Sequence, residues 1–135
     1  MMSWPEVAQC ARAGMSIECH TVSHPDLRHL SPAEVLSECE RADAEIAARI
    51  GAPPKLFAYP YGAEDATVHA VVGARYEACF STRMGYLHAS EDRRSVSRLE
   101  TYYLQSPELA VRVLSLPVQL YMRARALVRH LRGVR

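Results

Sequence analysis

An alternation of helical and extended segments predicts an α/β fold, and three observations carry that reading. Apolar residues recur at helical spacing in stretches separated by short apolar runs, in the order helix, strand, helix, strand, helix, strand. The extended runs are brief and mostly apolar, as buried strands are. No linker, repeat or low-complexity tract divides the 135 residues. One domain therefore spans 1–135, with 107–135 as a basic helical extension, and the chain is long enough to bury a core.

Residues 4–13 read as a short helix with Trp4, Val7, Ala8 and Ala11 on one face. Pro5 fits its first turn and Gly14 closes it. Residues 15–19 form a first strand candidate, with His20 and His24 at its carboxyl end. The clearest helix covers 32–50. Ser31 caps it, Pro32 takes the first position and Glu34 completes a capping box. Val35, Leu36, Cys39, Ala42, Ile46 and Ile50 supply the buried stripe, Gly51 ends the helix, and Pro53 and Pro54 prevent its resumption. Residues 56–59 are a second strand stopped by Pro60. A helix over 66–74, a strand over 76–81, a polar loop over 82–95 and a short strand over 96–99 follow. A last helix begins near Ser106-Pro107-Glu108 and bends at Pro117.

Composition narrows the function classes. The chain is 49% hydrophobic and 23% charged, a globular composition. A net charge of +1 offers no global attraction for nucleic acid. Charge is nevertheless uneven. Beyond Pro107 the only acidic residue is Glu108, against Arg112, Arg123, Arg125, Arg129, Arg132 and Arg135. Cys10, Cys19, Cys39 and Cys79 form no close-spaced pair, so free thiols are expected. The opening residues lack a basic and apolar leader, and no apolar run reaches bilayer length, which makes cytoplasmic the expected location of the chain as it stands.

The candidate chemistry centres on His20-Thr21-Val22-Ser23-His24. Imidazole is the commonest protein ligand for first-row metals, and two at this spacing can share one ion. Thr21 and Ser23 can tie down the loop backbone, and Pro25 stiffens its exit. Asp26 can accept from an imidazole N–H or cap a turn, of which the cap is the expected role, and His29 falls outside the pattern. A second short element, Phe57-Ala58-Tyr59-Pro60-Tyr61-Gly62, lies beyond the long helix. Tyr59 reads as a core residue.

Together, residues 14–27 and 57–62 resemble the second and third motifs of the NodB-like polysaccharide deacetylases, carbohydrate esterase family four. Ser31-Pro32-Ala33-Glu34-Val35 is similar to that family's next helix opening, and residues 76–85 to its next strand and loop. Glu18 stands where the family commonly has glycine, and Ala58 where better-known members have arginine. The resemblance implies a partial, deformed (β/α) barrel whose first strands are missing. It also implies that His20 and His24 are ligands of Zn2+ or another divalent metal. Such an ion lowers the pKa of its water and polarises an acetyl carbonyl. Tyr61 would stabilise the oxyanion through its backbone N–H, with Pro60 aiming that donor. Pro60, Tyr61 and Arg98 would contact the substrate, an N- or O-acetylated glycan.

The first motif, which would bring a third ligand and a base as paired aspartates, has no counterpart, and neither does a late Leu-x-His motif. Metal binding by this chain alone is thus expected to be weak, and the enzyme incomplete. A truncated deacetylase and an inactive carbohydrate- or metal-binding remnant both fit. Missing strands would expose sheet edges and an apolar face and favour self-association. Separately, Leu109, Val113, Leu116, Leu120, Leu127 and Leu131 sit beside the arginines of the last segment. A helix packed on the sheet with a solvated basic face is the expected outcome; contact with an anionic membrane surface is the competing one.

Overall fold

Helix α2 (Pro32–Ile50) organises the molecule, and its ends follow from local chemistry. The Ser31 hydroxyl accepts from the Glu34 N–H while the Glu34 carboxylate takes the Ser31 N–H at 2.7 Å, a reciprocal cap. At the other end Gly51 adopts φ 87°, a left-handed conformation that glycine reaches without a Cβ penalty. The computed structural model describes residues 2–131. Arg132 and Arg135, part of the expected basic face, lie outside the described residues.

Helix α1 (Trp4–Arg12) is capped by Ser3 and Glu6 and lies against α2, with the Arg49 guanidinium 5.7 Å from the Trp4 ring centre. Three parallel strands follow: β1 (Leu56–Ala58), β2 (Ala78–Met84) and β3 (Val96–Arg98), in the order β1-β2-β3. Helix α3 (Ala66–Val72) makes the crossover from β1 to β2. Ala58, Phe80 and Val96 are level across the sheet, and a bulge in β2 then brings Met84 opposite Arg98. Phe57, Tyr59, Leu27, Val35, Cys39, Val68, Val72 and Cys79 form the core between sheet and helices. All four cysteines are free, as expected, and Cys19, Cys39 and Cys79 are buried.

Four expectations need correction. The strand over 15–19 contracts to a single parallel bridge, Cys19 to Phe57, held by Cys19 N–H to Leu56 O and Ala58 N–H to Cys19 O. The Glu18 carboxylate takes the N–H groups of Lys55 and Leu56 at 2.7 Å each, so a side chain replaces the next rung. Strand β2 runs on to Met84, where a loop was expected, because β3 supplies a partner for it. The buried stripe of α2 keeps Val35, Cys39, Ala42 and Ile46, but Leu36 at its edge is exposed and Asp43, one heptad on along the same side, is buried.

The last segment is not one bent helix. Helix α4 (Pro107–Val111) ends, and α5 (Leu116–Leu131) starts afresh with Pro117 in its first turn. That position suits a residue without an N–H.

Candidate active site

Parallel strands gather the candidate residues at one end of the sheet, because the chain leaves every strand there. His20 follows the Cys19 bridge, and Pro60 and Tyr61 follow β1. The His20 and His24 rings meet edge to face with centroids 4.8 Å apart, and the His24 ring meets the Tyr61 ring at 4.5 Å. The two sequence motifs thus converge on one small patch. His20 Nδ1 lies 2.7 Å from the Ala58 carbonyl oxygen. A carbonyl only accepts, so Nδ1 carries the proton and the lone pair of the neutral ring sits on Nε2.

Both loops hold unusual backbone. Thr21 (φ 65°), His24 (φ 56°) and Tyr61 (φ 58°) are the non-glycine residues with positive φ among the described residues. Each such conformation costs roughly 1–2 kcal/mol for a residue with a Cβ, and such residues cluster at functional sites. The surroundings hold them there. Glu38, on the second turn of α2, receives hydrogen bonds from the Val22 N–H (3.1 Å), the Ser23 N–H (2.9 Å) and the Ser23 hydroxyl (3.1 Å). Burial pushes the Glu38 carboxyl up, but the Ser23 and Val22 hydrogen bonds and nearby Arg41 outweigh it, and its pKa lies below the ordinary value. Thr21 Oγ1 accepts the His24 N–H at 3.1 Å.

The Tyr61 loop is fixed as firmly. Gly62 and Ala63 donate its turn bonds to Tyr59 O and Pro60 O, so neither bond uses the Tyr61 N–H. Gly62 has φ 64°, and a Cβ there would stand 2.1 Å from Thr82 Oγ1, so only glycine fits beside β2. Glu64 then ties the loop to β2 and β3, accepting from Ser81 Oγ and Ser95 Oγ at 2.8 Å each and pairing with His69 at 3.0 Å. Beneath it Tyr59 is buried as expected, its hydroxyl donating to Arg94 O at 2.7 Å.

Other sequence candidates are engaged elsewhere or stand on other elements. Asp26 caps the 3-10 turn Leu27–His29 and pairs with Arg28 at 2.6 Å; the Arg28 hydrogen bond pulls its carboxyl to about 2. Arg98 is exposed at the end of β3, two strands from β1 and so roughly 10 Å away across the sheet. His130 lies on α5 and lines a separate cavity with Gly62, Thr82 and Arg83.

A catalytic zinc site takes three protein ligands and keeps one open position. His20 and His24 suit two of those places, with His20 oriented by its carbonyl partner. The described residues hold no group of three histidine, cysteine or carboxylate side chains that could complete a set. Nearby carboxylates are committed elsewhere: Glu18 to the β1 backbone, Glu38 to the histidine loop and Glu64 to the serines. Among the described residues, two side chains, His20 and His24, fit such a donor set.

Residues 1–76 match the sequence profile of the family described as polysaccharide deacetylase. The chain belongs to that family. The matched stretch contains both histidines and Tyr61 and stops short of β2, Arg98 and the terminal helices. No curated protein matches the chain. Among solved structures, a Streptococcus pyogenes deacetylase, PplD, in complex with acetate is 24% identical with a TM-score of 0.69, over 73% of this chain and 44% of that one. The Bacillus cereus polysaccharide deacetylase BC0361 is 22% identical with a TM-score of 0.66, over 73% and 32%. A family 4 carbohydrate esterase from Streptomyces lividans, also in complex with acetate, is 32% identical with a TM-score of 0.52, over 56% and 40%. The protein thus shares the deacetylase α/β fold while spanning less than half the length of each of these three relatives.

Glu38, Glu64 and Asp43 escaped sequence reasoning. Glu38 directly precedes Cys39 of the buried stripe, but nothing in its spacing distinguishes it from the solvated glutamates of the same helix.

Proposed function

We propose that this chain is the portion of a carbohydrate deacetylase that carries its histidine and tyrosine loops. It would act in the hydrolysis of N- or O-acetyl groups on a glycan. The observation that carries this reading is the convergence of three left-handed non-glycine residues, two imidazoles and the Tyr61 ring on one strand-end patch. In the reaction, water adds to the acetyl carbonyl, the bond to sugar nitrogen or oxygen breaks, acetate leaves and the sugar atom regains a proton.

His20 and His24 would hold a divalent ion together with a carboxylate from outside the described residues. Such an ion, when bound, lowers the pKa of water and polarises a carbonyl. Tyr61 would direct its N–H at the charge developing on the carbonyl oxygen, an orientation that its left-handed backbone and Pro60 maintain. The Tyr61 ring, 64% exposed beside His24, would give the sugar an apolar face to rest on.

Calorimetric titration of the chain with zinc, alongside an acetate-release assay on acetylated chito-oligosaccharides, tests the reading. Measurable zinc binding lost in both His20→Ala and His24→Ala is expected. Acetate release is expected to be weak and to need zinc, since the base is not among these residues. A chain that binds acetylated sugar normally after His20→Ala and releases no acetate at any zinc concentration would be the inactive binding relative instead. That second reading is favoured by one observation, the two-ligand donor set.

A further inference from the structure

Helix α5 is amphipathic, but its solvent face is the apolar one. It buries Val118 and Met122, while Arg129, on the same side, pairs with Glu100 at 3.1 Å. At 100° per residue these three positions share one face. Leu116, Leu120, Leu127 and Leu131 fall roughly opposite, and they are 67%, 54%, 59% and 76% exposed. Val111 and Leu114, just before the helix, are 86% and 76% exposed. The expected packing of the apolar side on the sheet is therefore overturned along α5, while Leu109 and Val113 before it are half-buried and Arg112 and Arg123 face water as expected.

The charges around this stripe identify what can cover it. Arg123 is exposed and stands four residues before Leu127, at the stripe's border; Arg112 is exposed beside Val111. Neither is in an ion pair among the described residues. Glu108 is the only carboxylate in the sequence after Pro107. A second copy packed stripe to stripe along α5, which carries no carboxylate, would set Arg123 against Arg123, which costs energy at that contact. An anionic lipid surface meets both demands: it takes the leucines at the headgroup boundary and neutralises the arginines, whose stems reach past the apolar zone. No helix in the described residues is long and apolar enough to cross a membrane, so such contact would be interfacial.

We propose that α5, with the preceding Val111 and Leu114, docks this protein on anionic membrane surfaces. The opposite side of α5 lines the cavity of about 450 Å3 shared with Gly62 and Arg83. Docking would thus leave that cavity on the protein side of the helix.

The full chain would be sedimented with phosphatidylcholine vesicles, with and without phosphatidylglycerol. Binding at least about tenfold stronger to the phosphatidylglycerol vesicles is expected, weakening as salt rises. The Leu120→Glu/Leu127→Glu variant should lose it, and Arg123→Glu should weaken it severalfold, each with an unchanged far-ultraviolet spectrum because the replaced side chains are exposed. Equal partition to both vesicle types would overturn the proposal. So would a salt-insensitive dimer in light scattering that the double glutamate variant dissolves while vesicles stay unbound.

Discussion

Glu38 and Asp43 lie five residues apart on α2 and serve opposite ends of the molecule. Glu38 reaches outward and accepts three hydrogen bonds from the histidine loop, which stays open to solvent. Asp43 reaches inward, 8% exposed, and receives Arg75 Nε at 2.6 Å and the Tyr76 hydroxyl at 2.8 Å. Burial, first of all, holds the Tyr76 phenol well above its ordinary range, with the neighbouring Cys19, Cys39 and Asp43 acting in the same direction. One carboxylate organises a strained, exposed loop; the other joins the crossover after α3 to the core. The contrast teaches where this protein keeps its stability and where it accepts strain.

The comparison can be broken from either side. The largest effect is expected from Asp43→Ala, which leaves a buried phenol without its acceptor and Arg75 without its main partner. A loss of about 2–3 kcal/mol in urea unfolding is expected, with the histidine loop's amide shifts unchanged in the surviving folded fraction. Next comes Gly62→Ala. Its Cβ would clash with Thr82, and the left-handed backbone alone costs roughly 1–2 kcal/mol. Thermal unfolding should register that loss, and zinc affinity should fall as the Tyr61 ring shifts from His24.

Glu38→Gln should cost about 1 kcal/mol and speed amide exchange at Val22 and Ser23, leaving the Tyr76 region protected. Its sharper signature is pH dependence. The folded pKa of Glu38 lies below its unfolded value, so its contribution is complete above the ordinary carboxylate range and is lost as pH falls through the folded value. The variant's stability should therefore decline less steeply in acid than that of the parent. Equal acid slopes would show that Glu38 does not anchor the loop. The smallest effect belongs to Leu36→Lys. Leu36 is exposed, so its replacement should change stability by no more than about 0.5 kcal/mol; a larger loss would restore the original reading of the α2 stripe.

Local chemistry made much of this legible in advance. Ser31 and Gly51 announced both ends of α2 because caps and left-handed glycines act within one turn. Pro60 stopped β1 for an equally local reason. The two histidines and the Tyr-Pro-Tyr-Gly run marked the candidate site because each is a contiguous motif. The rest depended on partners distant in sequence. Nothing near residue 84 reveals that β3 will extend β2, and nothing near residue 18 reveals that Glu18 will replace a rung of the ladder.

The sequence by itself therefore determined the α/β alternation, both ends of α2 and the identity of the motif residues, all of which rest on neighbours a few positions away. Tertiary structure decided which carboxylate fell inside, how the two loops met at His24 and Tyr61, and which side of α5 faced water. Those outcomes come from competition among distant surfaces for burial. A periodic pattern names the apolar face of a helix, but only the assembled fold determines whether anything covers it.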